Sequence, residues 1–431
     1  MKSSAFASLS ILATALFAGA CSPGADSSTG TIGSGGSGSG TGGSSSNAGG
    51  SGQNATSTAA QFMDNASSTG SAGPCASGPN DDADQDGFTV AEGDCNDCDA
   101  NVNPGAIEVM TADGTGGGDA VPADEDCDGT IDNVPMPCDS GIAVDTSNAM
   151  DGARAIELCH QPTGPKDWGV LSAKWVRANG ADAGSQEPAQ HGVLANLGPN
   201  VGVRAGSNML ALSSGRARAP GQTGACGAQT CSSLAGTPPP GFPQGVPNCA
   251  GGTTINDDMG LEVQIRAPKN ATGYKFDFKF YSFEFAEWVC TTYNDQFIAL
   301  VSPPPMGSIN GNLSFDSVPN PISVNAASFF YYCDTCSDWA ADCFSGTCPP
   351  VPNPCCAGGT AETMGTGFDV DAGGTAWLQT QAPIDPGGEI TVRFAIWDTG
   401  DHALDSTALV DNFQWIANGG TVSVGTTPVP Q

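Results

Sequence analysis

Two short stretches of this 431-residue sequence repeat the spacing D-x-D-x-D-G. The residues that define them are Asp82, Asp84, Asp86 and Gly87, and then Asp124, Asp126, Asp128 and Gly129. Ca²⁺ takes six to eight oxygen ligands, and alternate residues of a tight loop can turn their carboxylates inward while a glycine makes the sharp turn. The repeated spacing therefore predicts two calcium-binding loops.

The positions around each loop indicate further oxygen ligands. We expect main-chain carbonyls from Phe88 and Thr130, and a carboxylate from Asp132 that acts directly or through water. Other expected ligands follow the first loop, and these are Asp94, Asn96, Asp97 and Asp99. An EF-hand carries a bidentate Glu at the twelfth loop position. This chain has Gly93 and Pro135 there, so neither loop is an EF-hand.

The charge balance fits a cationic ligand. The chain has 13 basic and 45 acidic residues, a formal charge of -32, and no Lys or Arg between Lys2 and Arg154. Such a chain repels nucleic acid and anionic lipid head groups, so we expect no nucleic-acid partner. Carboxylates this close repel one another without a cation, which predicts that calcium folds the segment. The alternative is a solvated, disordered acidic stretch.

The N-terminus has the pattern of an export signal. Lys2 precedes an apolar run that ends in Ala18, Gly19 and Ala20 before Cys21. A run too short to span a bilayer comfortably, with small residues at its end, is typical of a signal peptide. The last four residues also resemble the lipobox of bacterial lipoproteins, which implies a lipid on Cys21 that anchors the chain to the outer membrane or cell surface. The alternative is an ordinary secretory signal that happens to meet a cysteine.

Composition divides the chain into five segments. We predict a signal peptide at 1–20, the lipidated cysteine and a disordered Gly/Ser linker at 21–74, an Asp-rich calcium-binding motif at 75–138, a β-sandwich at 139–418 and a flexible tail at 419–431. The linker has too little apolar surface to offset the entropy of folding. A Gly/Ser coil of that length spans roughly 40 Å, which could hold a domain clear of a membrane.

Cysteine usage also indicates export. Setting Cys21 aside leaves 16 of the 17 cysteines, an even number that favours disulfides outside the reducing cytosol. Six of them crowd into a Pro- and Gly-rich insertion, namely Cys333, Cys336, Cys343, Cys348, Cys355 and Cys356. The C-x-x-C spacing of Cys333 and Cys336 leaves zinc binding as an alternative there.

Apolar residues after Asp139 follow the period of β-strands. Alternation at 261–266 and at 274–280 predicts two strands with one buried face each. The apolar phase flips after Phe280, which predicts a β-bulge. Further strands are predicted at 209–212, 297–301, 390–396 and 409–416. With no amphipathic helix of useful length, the expected fold is mainly β: a two-sheet, jelly-roll-like β-sandwich with disulfide-stapled insertions.

The Asp-rich segment resembles a known motif. The stretch DADQDGFTVAEGDCNDCDANVNPGA, with the later DEDCDGTID, is similar to the metal-binding motif of bacterial surface proteins, which is related in style to thrombospondin type 3 calcium repeats. The similarity covers about residues 80–133, and a Gly-rich insertion at 114–118 and Met110 depart from it. It implies calcium as the ligand and a disulfide between Cys95 and Cys127, for which the extra Cys98 is a competitor.

Three stretches of the later region resemble a known family, and these are MLALSSGRA at 209–217, YSFEFAEWVCTTYNDQFIALV at 281–301 and VRFAIWDTGDHALDSTALVDNFQW at 392–415. They are similar to the choice-of-anchor L domain, a family of bacterial extracellular β-rich modules. Departures fall at Phe283, Ala286 and Cys290 and in the cysteine-rich insertion. The resemblance implies surface location and fold rather than a particular chemistry.

Acidic residues near the predicted strand ends indicate a second metal site. Its candidate ligands are Glu284, Glu287, Asn294, Asp295, Asp398 and Asp405. Turns at a sandwich edge can bring such oxygens together. The alternative is that these residues form turns and solvated strand ends.

Few residues could support catalysis. Only His160, His191 and His402 could act as bases near neutral pH, and the motifs G-x-S-x-G, H-E-x-x-H and the phosphate loop are absent from the sequence. The best constellation is Asp398, His402, Asp405 and Ser406. We therefore expect no enzyme but a calcium-binding surface module for adhesion or for recognition of a carbohydrate or protein ligand. A structural component of the envelope or matrix is the alternative, followed by a secreted hydrolase.

Overall fold

Two antiparallel sheets form the core of the fold in a computed structural model, which describes residues 77–109, 122–133, 135–184, 188–333, 356–417 and 420–429. The first sheet has the strand order β1 (Gly169–Val176), β6 (Ile255–Arg266), β13 (Glu389–Thr399), β8 (Gln296–Ser302) and β9 (Ile322–Ser323). The second has the order β10 (Phe330–Cys333), β11 (Gly373–Thr375), β7 (Gly273–Ser282), β14 (Ser406–Ile416), β5 (Met209–Ser213) and β2 (His191–Leu194).

Short elements complete the described fold. Strand β12 (Leu378–Pro383) pairs with β7 and with β15 (Gly425–Pro428), and β3 (Asn196–Gly198) pairs with β4 (Val201–Gly202). The helical elements are α1 (Ala149–Arg154) and the 3₁₀ turns Val90–Glu92, Pro188–Gln190 and Ala327–Phe329. The predicted mainly β, two-sheet sandwich is confirmed, and all six predicted strands lie within observed ones.

Aromatic side chains of β7 form the centre of the core between the sheets. Phe276 meets Phe394 of β13 with ring centroids 5.0 Å apart, and Phe278 meets Phe297 of β8 at the same distance. All four rings are fully buried. The alternation that marked this stretch as a strand therefore also places its large rings between the sheets.

The predicted β-bulge after Phe280 is wrong. β7 pairs with β14 in continuous register past Phe280, and the register shift of this ladder lies in β14, between Asp411 and Gln414. Tyr281 and Phe283 instead enter a second apolar cluster, where both rings stack on Phe368. The apolar phase changes because the end of β7 is buried on both faces.

Two charged side chains of β7, Asp277 and Lys279, are also buried. Lys279, expected to face solvent, is fully buried and forms an ion pair with Glu362. Burial lowers the pKa of the Lys279 amine to about 8. Sequence alternation alone indicated one solvated face, and it could not show that a later segment of the chain folds over that face.

Part of the predicted flexible tail is an ordered strand. Residues 425–428 form β15, which pairs with β12 from Leu378 to Gln381. Val424 and Val429, on either side of β15, pack against the two apolar clusters. Pairing with the open edge of β12 thus orders a segment whose composition alone predicts disorder.

Disulfides cross-link the described part of the chain, as export predicts, and four of them join residues 21 to 41 positions apart. The bonded pairs are Cys95–Cys127, Cys138–Cys159, Cys226–Cys231, Cys249–Cys290 and Cys333–Cys356. The bond of Cys333 removes it from the alternative zinc site. Cys336, Cys343, Cys348 and Cys355 lie outside the described residues.

The predicted export and anchoring elements also fall outside the described residues. These are the signal peptide at 1–20, Cys21 and the linker at 21–74. Within the part that is described, no helix has the length and apolar character needed to cross a membrane.

We expect Phe278→Ala to lower the free energy of unfolding by about 3–5 kcal/mol, since it removes a buried ring from the contact between the sheets. Urea denaturation followed by tryptophan fluorescence would measure this loss. Val318→Ala is the control, because Val318 is exposed and its truncation should change stability by about 0.5 kcal/mol or less. Equal losses in the two variants would contradict the assigned core.

Candidate metal sites

The first aspartate loop gathers carboxylates in two overlapping groups. Asp82, Asp84 and Asp86 each offer an oxygen, and the three oxygens lie within 4.8 Å of one another. Asp84 also groups with Asp94 and Asp97 within the same distance. Two oxygens bound to one Ca²⁺ at 2.3–2.6 Å are at most about 5 Å apart. Each group therefore has a spacing that one calcium ion could bridge.

The glycines of both loops have the backbone conformation that the motif requires. Gly87 has a φ of 98° and Gly129 a φ of 90°, values that residues with a Cβ rarely adopt. Each glycine donates its N–H to the first aspartate of its loop, at 3.1 Å to Asp82 and 3.0 Å to Asp124. The repeated sequence thus produces the same turn twice.

Inside the first loop, some carboxylate oxygens are buried without a hydrogen-bond donor. Oδ1 of Asp84 accepts the Asp86 N–H, and Oδ1 of Asp94 accepts the Asn96 N–H. The Oδ2 atoms of Asp84 and Asp94 are buried and accept no hydrogen bond from any described residue. Burial, reinforced by the charge of Asp86, raises the pKa of Asp94 to about 6. Such oxygens are available to a cation.

The second loop recruits a glutamate that the motif did not indicate. Glu108 groups with Asp124 and Asp126, and also with Glu125 and Asp132, within 4.8 Å in each case. Its carboxylate accepts the N–H groups of Asp126 and Asp132 at 3.3 and 2.7 Å. Burial raises the pKa of Glu108 to about 7. No local signal marked Glu108 or Glu125, because the fold rather than the loop spacing brings Glu108 to the site.

Two predicted carboxylate ligands stand apart from these groups in the described part of the chain. Oδ1 of Asp99 accepts hydrogen bonds from Asn101, and Oδ2 of Asp128 accepts one from Asn133 at 2.6 Å. Asn96, a predicted amide ligand, is exposed.

Phe88 and Thr130 occupy equivalent places after the two loops. Their main-chain N–H groups donate to the carboxylates of Asp86 and Asp128, at 2.7 Å in both loops. These bonds orient the third carboxylate of each motif. The predicted role of the two main-chain carbonyls as ligands stays a prediction.

A disulfide connects the two loops. Cys95, beside Asp94, is bonded to Cys127 of the second loop, which is the pairing that the motif resemblance implied. The Asn103 N–H donates to the Glu125 carbonyl at 2.8 Å across the same junction. The two groups of acids therefore belong to one cross-linked unit.

This unit contacts the sandwich through polar groups. Lys166 donates to the Gly87 carbonyl and to Glu92, at 2.6 Å each. Asn270 forms two hydrogen bonds with the main chain of Ile107, at 2.7 and 3.0 Å. The position of the loops is thus coupled to the surface of the sandwich.

Three of the six acids and amides proposed for the second site come together at one end of the sandwich. Oxygens of Glu284, Asp295 and Asp398 lie within 4.8 Å of one another, and all three residues are at most 1% exposed. Glu284 follows the end of β7, Asp295 directly precedes β8, and Asp398 belongs to β13. The alternative that these are solvated strand ends is wrong for these three residues.

The other candidates of that site have different positions. Asn294 accepts the Asn325 N–H at 2.8 Å, and Glu287 is partly exposed outside the group. Asp405 is buried outside the group as well, and its burial, together with the charge of Asp257, raises its pKa to about 7.

The structure separates the residues of the candidate hydrolytic constellation. His402 contacts Asp257 at 2.8 Å, whereas the buried Ser406 hydroxyl donates to Asp295 at 2.6 Å. A serine nucleophile needs its base within hydrogen-bond reach. The arrangement of His402 and Ser406 gives no support to a hydrolase at this position.

Comparison with known families assigns the sandwich. The choice-of-anchor L domain matches residues 176–412, more than half of the chain, which confirms that resemblance. No curated protein and no solved structure matches the chain. Together with the disulfides, the domain indicates an extracellular or cell-surface protein. The matched region includes Glu284, Asp295 and Asp398, and it begins after the aspartate loops. The chain belongs to the choice-of-anchor L domain family.

Proposed function

We propose that this protein is a calcium-binding, lipid-anchored surface module that recognises a carbohydrate or protein ligand. The observation that carries the calcium assignment is the pair of D-x-D-x-D-G loops, which have the same glycine conformation. In the first loop the oxygens of all three aspartates lie within 4.8 Å of one another, and in the second those of Asp124 and Asp126 do so together with Glu108. The Cys95–Cys127 bond holds the two loops together.

The chemistry of the loops favours calcium over other common metals. The clustered side chains are all carboxylates, which suit hard cations, while the thiolate and imidazole ligands typical of zinc are missing from these groups among the described residues. Mg²⁺ demands near-ideal octahedral geometry, whereas Ca²⁺ accepts the irregular oxygen sets that loops provide.

Calcium has a structural role in this proposal. In its absence, the charges of Asp84, Asp86 and Asp94 oppose one another, and burial makes their ionisation costly, so the pKa of each is raised. A bound cation removes both penalties. Because the loops contact Lys166 and Asn270, calcium would also fix the unit against the sandwich.

The location follows from the family and from the N-terminal sequence. A lipid on Cys21 would hold the chain at the outer membrane or cell surface, and the linker at 21–74 would separate the folded part from the bilayer. Extracellular calcium is abundant enough for loops of modest affinity.

A shallow groove supports ligand recognition by the sandwich. It is lined by Phe329, Tyr331, Leu378 and Val429, among others, and Tyr331 is 41% exposed. Exposed aromatic rings offer apolar contact area at low entropic cost, with a hydroxyl for polar ligand groups. This is the place where we expect a carbohydrate or peptide to bind.

Calcium should protect the Asp-rich segment from proteolysis. A Glu-specific serine protease is suitable, because Glu92, Glu108 and Glu125 lie in the segment whereas trypsin finds no site between Lys2 and Arg154. Calcium at ten times its Kd should slow cleavage about tenfold, and Asp84→Asn with Asp126→Asn should remove that protection. Mass spectrometry of the fragments measures the rates.

Asp99→Asn is the matched control for this experiment, because Asp99 lies in the same segment but outside the clusters. It should keep the calcium protection. Equal cleavage of the wild-type chain in calcium and in chelator would contradict the proposed role of calcium.

The stability of the calcium-free segment should fall as the pH rises. The pKa values of Asp94 and Glu108 are raised to about 6 and about 7, so the folded segment binds protons that the unfolded chain releases near pH 4. In chelator, hydrogen exchange of residues 77–109 should therefore accelerate between pH 4 and pH 7, after correction for intrinsic rates. Saturating calcium should abolish this trend. Protection that rises with pH in chelator would contradict it.

Ligand recognition can be tested on a glycan array with the full chain. We expect calcium-dependent binding that Tyr331→Ala reduces, because the substitution removes the exposed ring of the groove. Val370→Ala, another exposed apolar residue outside the groove lining, should bind as the wild-type chain does. No detectable binding on either a glycan or a peptide array would favour a structural component without a specific ligand.

A further inference from the structure

Strand pairing brings three acids together at one end of the sandwich. β13 pairs with β8 so that Trp397 faces Gln296, and β14 pairs with β7 so that Ser406 faces Ser282. The connections from β7 to β8 and from β13 to β14 both cross between the sheets, and they meet where the Phe283 N–H donates to the Asp405 carbonyl. Glu284, Asp295 and Asp398 lie at this junction.

The three carboxylates are deeply buried and differ in their partners. Asp295 accepts the Thr399 N–H at 3.0 Å and the Ser406 hydroxyl at 2.6 Å, and Glu284 accepts the Asp295 N–H at 3.2 Å. Asp398 is 0% exposed, and neither of its carboxylate oxygens accepts a hydrogen bond from any described residue. A buried polar group without a partner costs several kcal/mol, or more when it is charged.

Neighbouring negative charges increase the electrostatic cost of burying these three carboxylates when no metal is bound. The charges that raise the pKa of Asp398, after burial itself, are those of Asp295, Glu284, Asp401 and Asp257. His402, a basic side chain beside these acids, contacts Asp257 rather than the cluster. Protonation would remove the repulsion, but it would still leave the oxygens of Asp398 without a hydrogen-bonding partner.

We propose that Glu284, Asp295 and Asp398 bind a calcium ion that ties the two crossovers of the sandwich together. The spacing supports this, since their oxygens lie within 4.8 Å of one another and can contact one ion at 2.3–2.6 Å. One unpartnered oxygen of Asp398 lies within the group, where it would become a ligand of the ion. This site does not depend on the aspartate loops, which lie in another part of the chain.

The test counts calcium in three versions of the full chain: wild type, Asp398→Asn, and the loop variant Asp84→Asn with Asp126→Asn. Equilibrium dialysis followed by elemental analysis gives the bound calcium per chain. We expect Asp398→Asn to lose one calcium per chain and to keep the loop sites. The loop variant should lose the calcium of the loops and keep the ion at Asp398. The experiment therefore tests the loop sites and the Asp398 site independently.

Thermal unfolding provides the second measurement. Calcium should raise the unfolding temperature of the wild-type chain, and it should raise that of the loop variant by a smaller amount. Adding Asp398→Asn to the loop variant should abolish this smaller rise. Asp316→Asn is the control, because the Asp316 carboxylate is also buried but accepts hydrogen bonds from Val318 and Asn320.

Three outcomes would overturn this proposal. In the first, Asp398→Asn retains the wild-type calcium count. In the second, the loop variant binds no calcium although its Glu284, Asp295 and Asp398 are intact. This outcome contradicts the proposal even if Asp398→Asn fails to fold. In the third, the loop variant binds Mg²⁺ but not calcium.

Discussion

The packing of β7 against β13 is the contact on which the remaining architecture depends. These strands lie in different sheets, and the edge-to-face contact of Phe276 with Phe394 joins them at the centre of the core. Each strand then pairs on both sides, β7 with β14 and β12, and β13 with β6 and β8. Once these ladders are in register, the crossovers at 283–295 and 400–405 have to meet at one end of the sandwich.

This constraint has an electrostatic consequence. The same register that buries the aromatic rings also buries Asp295, Asp398 and Glu284 within reach of one another, beside further acids. Hydrophobic packing thus brings like charges together at this end of the sandwich. In the two loops, the close spacing of the aspartates along the chain has the same effect. In a protein with a formal charge of -32, basic side chains are too few to neutralise every such cluster. Protonation of the carboxylates and cations from the solvent are the two remaining means of compensation, and the proposed calcium sites use the second.

Local patterns revealed the elements of this structure, but not their partners. Period-two alternation was sufficient for the strand at 274–280, because the large rings at alternate positions share one buried face. It failed just beyond, where Tyr281 packs into a second cluster under a segment that lies far along the chain. Likewise β15 forms only because the edge of β12 is open to it. Burial by distant segments leaves no periodic signal.

The candidate sites show the same division. Loop spacing identified Asp82, Asp84 and Asp86, since their geometry is set within a few residues. The sequence did not predict Glu108 as a ligand, because only the folded chain brings it next to the second loop. At the sandwich end, sequence proximity suggested six candidates, and strand register selected three of them. Asn294 adjoins Asp295, and Asp405 directly precedes β14, but the side chains of both residues have other partners.

Disulfides and calcium would together make folding conditional on export. The bond between Cys95 and Cys127 forms only in an oxidising compartment, and it brings the two acidic loops together, which increases their repulsion until a cation binds. Calcium at ten times the Kd of a site adds about 1.4 kcal/mol of stability at that site, a contribution that a calcium-poor cytosol does not supply. Calcium in the loops would hold them against Lys166 and Asn270, and an ion at Asp398 would stabilise the crossovers at 283–295 and 400–405. The segments that the hydrophobic core holds least firmly would thus become rigid where the protein is displayed.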